Sequence, residues 1–281
     1  MKIVQDNKSL KNLCKLLKTQ KVIYLDTEFK RDRTYWPKLC TIQFKTQRNV
    51  YLVDMLLIEQ MNMNALKKIL IDKKLRKVIH SAKQDIEVIN YSLDIKIENI
   101  FDTQMAYNVL HGGDEIGYTN LVEKLFKIKL SKKYQVSDWE SRPLSKNQLA
   151  YAENDVLYLP RIYTYLINFI KKRNLINKVN NKNHELTENN DIYNPKFAYK
   201  KIKTKNFNQK EKTLLKKYSK WREVCAQNLN IPRNWVVSDK NLVKASKGKE
   251  LGLEKNKKMY NQQLSKFSDY VNSKNLSKKG Y

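Results

Sequence analysis

The chain has 281 residues, with 56 Lys and Arg against 28 Asp and Glu, a formal net charge of +28. Its 41% hydrophobic and 10% aromatic content suffices for a packed core, which excludes a wholly disordered basic tail. No run of about 18 uncharged apolar residues occurs, which excludes a membrane-spanning helix. The start, MKIVQDNKSLKNLCKLL, puts acidic and amide side chains where a leader peptide needs an apolar block, so a cytoplasmic protein is expected. Cys14, Cys40 and Cys225 are odd in number and far apart, without a C-x-x-C spacing, and predict reduced thiols rather than a disulfide framework or zinc site.

In chain order, Val22–Phe29 reads as a buried strand, and Leu39–Lys45 and Asn49–Asp54 as two more around a turn at 46–48. Met63–Ile71 has helical spacing, Lys77–His80 is a short strand, and a helix begins near Gln84. Thr103–Leu110, stopped by Gly112 and Gly113, and Thr119–Phe126 are further helices. Ser145 is placed to cap a long helix reaching Arg173, which Pro160 should kink or split. Residues 177–208 are rich in Asn and Lys with little apolar periodicity, the mark of a linker or extended arm. Beyond them Leu214, Leu215, Tyr218, Trp221, Val224 and Cys225 recur at helical steps. Ile231 and Pro232 break that helix, Asp239 caps a short one, and Met259–Val271 is a last one.

The expected organisation is therefore a mixed α/β domain over 1–176, a basic linker over 177–206 and a small all-α domain over 207–281. The charge is uneven along it. Residues 1–170 hold 28 basic and 19 acidic side chains, whereas 171–281 hold 28 and 9. A surplus of this size and sign favours a polyanion, most often nucleic acid, through release of its counterions. The alternative is a drift toward Lys that decorates every surface alike.

Carboxylates in apolar surroundings of so basic a chain ask for a reason. Asp26 and Glu28 end a buried strand at positions i and i+2, which point to one side. Mutual repulsion opposes that arrangement unless a cation sits between them, and hard divalent ions take oxygen ligands of this kind. A solvated strand end is the plainer reading of this pair alone. Asp85 lies where a strand leads into a helix, and Tyr151 and Asp155 share a helix face at i, i+4. Taken singly, these read as a helix-terminal charge, a core aromatic and a surface charge.

In combination the sequence resembles the ribonuclease D family of the DEDD exonuclease superfamily. The first motif stands as Leu25-Asp-Thr-Glu-Phe29, the second surrounds Asp85, and the third is Tyr151-x3-Asp155. Arg33-Thr-Tyr-Trp-Pro37, Gln43, Phe101-Asp-Thr-Gln104 and Asp138-Trp-x-x-Arg142-Pro-Leu144 with Gln148 add to the likeness, which spans about residues 20–170. The resemblance implies a ribonuclease-H-like exonuclease domain, a mixed sheet with flanking helices. It also implies two divalent ions, Mg²⁺ or Mn²⁺, held by Asp26, Glu28, Asp85 and Asp155, with Tyr151 orienting or helping to deprotonate the attacking water. The implied activity is 3′-5′ exoribonuclease trimming of structured RNA such as tRNA precursors, releasing 5′-mononucleotides. Phe29 and Arg142 are the candidate contacts to substrate base and phosphate, with core packing and a neighbouring carboxylate as their respective alternatives. His80 is expected to be structural, Asp102 to cap the helix from Thr103, and Trp36 and Trp139 to pack their loops. Residues from about 207 onward resemble, more weakly, one helicase-and-RNase-D C-terminal domain (HRDC), through Trp221-Arg222, Asn230-Ile-Pro-Arg233 and Asp239-x-x-Leu242. No membrane and no protein partner are expected. A DNA exonuclease of the same superfamily and a non-catalytic RNA-binding protein remain as other readings.

Overall fold

The computed structural model describes residues 1–59, 63–188, 193–204, 206–249, 262–263 and 265–271. Its strands are Lys2–Val4 (β1), Val22–Lys30 (β2), Lys38–Lys45 (β3), Val50–Asp54 (β4), Arg76–Ile79 (β5) and Ile100–Asp102 (β6). They pair in the order β1-β4-β3-β2-β5-β6. The β2–β3 and β3–β4 pairs are antiparallel, and the other three are parallel. The expected meander is therefore extended on both sides by parallel strands; β5 and β6 are buried, which suits their short apolar runs, whereas β1 is largely exposed.

Alternation along β2 sorts the core. Ile23 and Leu25 join Ile42, Phe44 and Val53 on one face, with Leu10, Leu13, Cys14 and Leu17 of the helix Asn7–Lys18 (α1). Asn64–Leu70 (α2) and Lys83–Leu93 (α3) complete that layer. On the other face Val22, Tyr24, Val78 and Phe101 meet Thr103–His111 (α4), Tyr118–Phe126 (α5) and Leu159–Lys172 (α7). Lys146–Leu157 (α6) lies there too, its Ala152 against Cys40 and Leu52. The sheet with helices on both faces is the fold class the motifs imply. One irregularity falls beside the paired carboxylates. Glu28 pairs with Thr41 and Phe29 with Leu39, so Cys40 is the extra residue of a bulge.

Ser145 does cap α6, in a reciprocal box with Gln148. The long helix expected through Arg173 is two helices, parted at Tyr158, with Pro160 in the first turn of the second, where its missing N–H costs nothing. Residues 177–206, expected as linker, hold the helix Ile176–Glu188 (α8) and a 3-10 turn over Pro195–Lys201. The buried stripe of α8 is Val179, Asn183 and Thr187, at steps of four, and two of the three are polar, so hydropathy does not reveal it. Two short strands and α1 also lie outside the expected elements.

The chain divides into two compact units, Met1–Lys30 with Pro37–Asn189, and Arg31–Trp36 with Asn190–Tyr281. The second unit contains Gln209–Leu229 (α9), Arg233–Val236 (α10) and Asp239–Ser246 (α11). Leu215, Tyr218, Ala226, Val236 and Leu242 form its core together with Tyr35. The Tyr35 hydroxyl donates to buried Glu223 at 2.6 Å, and Asn230 Oδ1 accepts the N–H groups of Tyr35 and Trp36 at 3.1 and 3.0 Å. Ser238, not Asp239, caps α11; Asp239 instead accepts a 2.6 Å bond from buried Arg222. Of the helix expected over Met259–Val271, residues 259–261 and 264 lie outside the described residues, and 265–271 are helical.

Candidate active site

β2 and α6 bring together Asp26, Glu28 and Asp155. Their ligand oxygens all lie within 4.8 Å of one another. Glu28 is buried, and Asp26 and Asp155 are partly so. The i, i+2 rule places the strand pair on the face that α6 covers, and α6 turns Asp155 toward it. Asp85 enters from the first turn of α3, buried, with Oδ1 accepting the Thr27 hydroxyl at 2.5 Å. Its charge is felt at Asp26 and Glu28, but its oxygens are not part of the three-residue cluster.

Burial and mutual repulsion dominate the electrostatics. Asp26 is held well above the usual carboxylate range by burial first, then by Asp85, Asp155 and Glu28. Glu28 is pushed up to about 9 by burial, then by Asp155 and Asp85. Burial lifts Asp85 to about 7, opposed by the Thr27 bond, and lifts Asp155 to about 7, opposed by a hydrogen bond from Tyr151. Tyr151 is itself raised, by burial and then by Asp155 and Glu28. Among the described residues none of the four carboxylates forms an ion pair with Lys or Arg, in a protein with twice as many bases as acids. An all-oxygen, anionic donor set short of cations fits hard divalent ions of the Mg²⁺ or Mn²⁺ type.

The other candidates fare differently. Phe29 is half-buried and packs against the core, leaving part of its ring accessible. Arg142 is spent. Nε and Nη2 bind Asp54 at 2.6 and 2.8 Å, Nη1 binds the carbonyls of Trp139 and Ser141, and Nη2 also reaches Cys40 O. Its expected phosphate contact is corrected accordingly: buried Asp54 claims the guanidinium in a bidentate pair. His80 is partly buried between the Thr103 hydroxyl and Ile116 O, and desolvation lowers it to about 4, so it is neutral and structural. Asp102 caps α4, accepting from Gln104 and Met105, and also takes the N–H groups of Ser81 and Ala82.

Tyr118 escapes a reading of the sequence, because an aromatic residue at a helix start carries no signal of its own. Its buried hydroxyl donates to Asn154 O at 2.8 Å and accepts the Tyr158 N–H at 3.2 Å. It thus stands where the helix would otherwise bond residue 158 to residue 154. The residue so braced is followed directly by Asp155.

A family model for 3′-5′ exonuclease matches residues 1–171. The chain belongs to the 3′-5′ exonuclease family. Within that family its likeness is to ribonuclease D. It is 32% identical over 242 residues to Ribonuclease D of Gluconacetobacter diazotrophicus, covering 86% of this chain and 61% of that one. To Ribonuclease D of Nitrobacter hamburgensis it is 34% identical over 240 residues, covering 85% and 63%. The chain thus spans about three fifths of the length of these curated relatives. The crystal structure of Escherichia coli RNase D, described as an exoribonuclease involved in structured RNA processing, superposes with a TM-score of 0.81 at 24% identity. That match covers 96% of this chain and 75% of the other, and it agrees with the fold the motifs imply. The resemblance to ribonuclease D drawn from the motifs is borne out.

Proposed function

We propose that the chain is a metal-dependent 3′-5′ exoribonuclease of the ribonuclease D type. It would act in the cytoplasm on structured RNA such as tRNA precursors and release 5′-mononucleotides. The observation that carries this reading is the convergence of Asp26, Glu28 and Asp155, with Asp85 beside them, as buried or partly buried carboxylates that among the described residues have no basic partner.

Asp26, Glu28, Asp85 and Asp155 would hold two divalent ions. When bound, such a pair supplies the positive charge that acidifies an attacking water and stabilises the leaving 3′ oxygen in an in-line displacement. The four carboxylates would be ionised in that state, because cations offset the burial and repulsion that now lift them. Tyr151 is bonded to Asp155 and raised above its ordinary value, so its hydroxyl acts as a hydrogen-bond partner that orients the water rather than as a base. The accessible part of Phe29 would stack on the terminal base, a contact tolerant of sequence. The second unit, read as one HRDC domain, would grip RNA away from the site, since residues 190–281 carry 23 basic against 7 acidic side chains.

Incubating a 3′-extended tRNA and a matched single-stranded DNA with the full chain, with and without EDTA, tests this. The expected products are 5′-mononucleotides from the RNA 3′ end, formed only with divalent cation. Internal fragments, or digestion undiminished by EDTA, contradict the reading; preferential digestion of the DNA moves it to a DNA exonuclease.

A further inference from the structure

Beside the carboxylate cluster the first unit has a groove of about 880 Å³ that the chemistry above does not use. The first turn of α3 supplies Lys83 and Gln84, α4 supplies Met105 and Asn108, and α8 supplies Lys178 and Lys182. Lys178 and Lys182 sit one helical turn apart on the exposed side of α8, roughly 6 Å along its axis. Gln84 immediately precedes Asp85, and the charge of Asp102, which lines the groove, is felt at Asp85, so the groove adjoins that one of the residues proposed to hold metal.

Its charge is one-sided. The three lysines are exposed, and among the described residues none pairs with a carboxylate. Asp102 also lines the groove, but its carboxylate is occupied by the N–H groups of Ser81, Ala82, Gln104 and Met105. Glu115 is the other acidic lining residue. A polar atom is left over as well: Asn108 Oδ1 is buried with no hydrogen-bond partner. An orphan acceptor in a cationic groove asks for a donor from a ligand, since a buried acceptor left unpaired is destabilising. Met105, Val109 and Leu186 add apolar surface between the polar groups.

From these features we infer that the groove between α3, α4 and α8 is the track for the RNA strand on the 5′ side of the nucleotide being removed. Its phosphates lie on Lys83, Lys178 and Lys182, and a 2′-hydroxyl donates to Asn108. This rests on the exonuclease reading and adds to it the route of the substrate. It also gives α8 a task. A helix with a polar buried stripe is held at the edge of β6 by packing and by the Asn183 bond to Asp102 N–H at 3.1 Å, and this fixes two cations beside the site.

The test uses the full chain with Lys83, Lys178 and Lys182 all changed to Ala, beside a control in which Lys8, Lys11 and Lys15, exposed on α1, are changed to Ala. Binding of a 12-nucleotide single-stranded RNA is measured in EDTA across a salt series. The expected result is a log–log salt slope shallower by about 2 in the groove variant, at about 0.7 per phosphate contact, and unchanged in the control. With Mg²⁺, the groove variant should raise KM for the 12-mer roughly tenfold. It should leave turnover of a dinucleotide without a 5′ phosphate, which has only the scissile phosphate and so none for the three lysines to hold, as in the parent. Equal slope changes in both variants, or none in the groove variant, overturn the inference. Failure of the exonuclease reading is distinguishable: a parent chain that hydrolyses no RNA defeats that reading, while the slope in EDTA still decides the groove.

Discussion

Among single residues, the site is a set of acids held back from ionising by burial first and, at Asp26 and Glu28, by one another. The free protein should carry that as a pH-dependent weakness. Glu28 at about 9, and Asp85 and Asp155 at about 7, lie above their unfolded values of 4.5 and 3.8. A raised carboxylate means the folded state binds more protons, so its stabilising effect is lost as pH rises through the folded value. His80, lowered from 6.5 to about 4, acts below that range, and Lys77, lowered from 10.5 to about 8, acts above it. Between about pH 6.5 and 8 the carboxylates govern. Thermal denaturation of the metal-free protein should therefore show Tm falling across that window, and millimolar Mg²⁺ or Mn²⁺ should restore it more at pH 8 than at 6.5. A flat or rising Tm without metal would contradict the electrostatics described. Arg142 carries a lesson at the same scale. Sequence offers an arginine near a nuclease motif, but only the fold reveals that Asp54 consumes its donors.

At the scale of elements, the junction of α6 and α7 is where local geometry serves the site. Pro160 cannot donate to Val156, and the Tyr118 hydroxyl enters the ladder two residues earlier, between Tyr158 and Asn154. Asp155 sits on the turn that these two residues shape. Tyr118→Phe keeps the ring and removes both bonds. It should cost about 1–3 kcal/mol in urea denaturation, for two backbone groups left without their partner. It should also weaken Mn²⁺ binding, which a purely structural loss would leave unchanged in the folded fraction. Undiminished Mn²⁺ affinity would assign Tyr118 to packing alone.

The elements also show what sequence reading reaches. β2, β3 and β4 were legible because apolar runs are bounded by turn residues, and the start of α6 because Ser145 and Gln148 form a box. The stripe of α1, Leu10, Leu13, Cys14 and Leu17, is equally regular in the sequence but is not among the expected elements. β1 and β6 are three residues each, too short for any period to register. α8 hides behind Asn183 and Thr187, whose burial is justified by partners elsewhere in the chain. The carboxylates could be listed from motifs. That three of them converge within 4.8 Å while Asp85 is tied to Thr27 could not.

At the scale of the whole molecule, the surplus of +28 resolves into parts. Lys178 and Lys182 belong by sequence to the most basic stretch but by structure to the first unit, so the charge boundary and the structural boundary differ. The chain path crosses units as well. Arg31–Trp36 follows the strand that bears Asp26 and Glu28, yet belongs to the second unit, where Tyr35 and Trp36 bind Asn230 and Glu223. Cutting the chain after residue 188 would strip those aromatic residues of their surroundings, which is why full-length variants test binding better than truncation. In the proposed function, a basic protein keeps four acids near one another in order to hold two divalent cations. Mn²⁺ titration followed by electron paramagnetic resonance, comparing the parent chain with Asp26→Asn, tests this. About two bound ions per parent chain are expected, with loss of at least one in the variant and the fold intact by circular dichroism; equal Mn²⁺ binding by both, or none by the parent, would contradict the two-cation site.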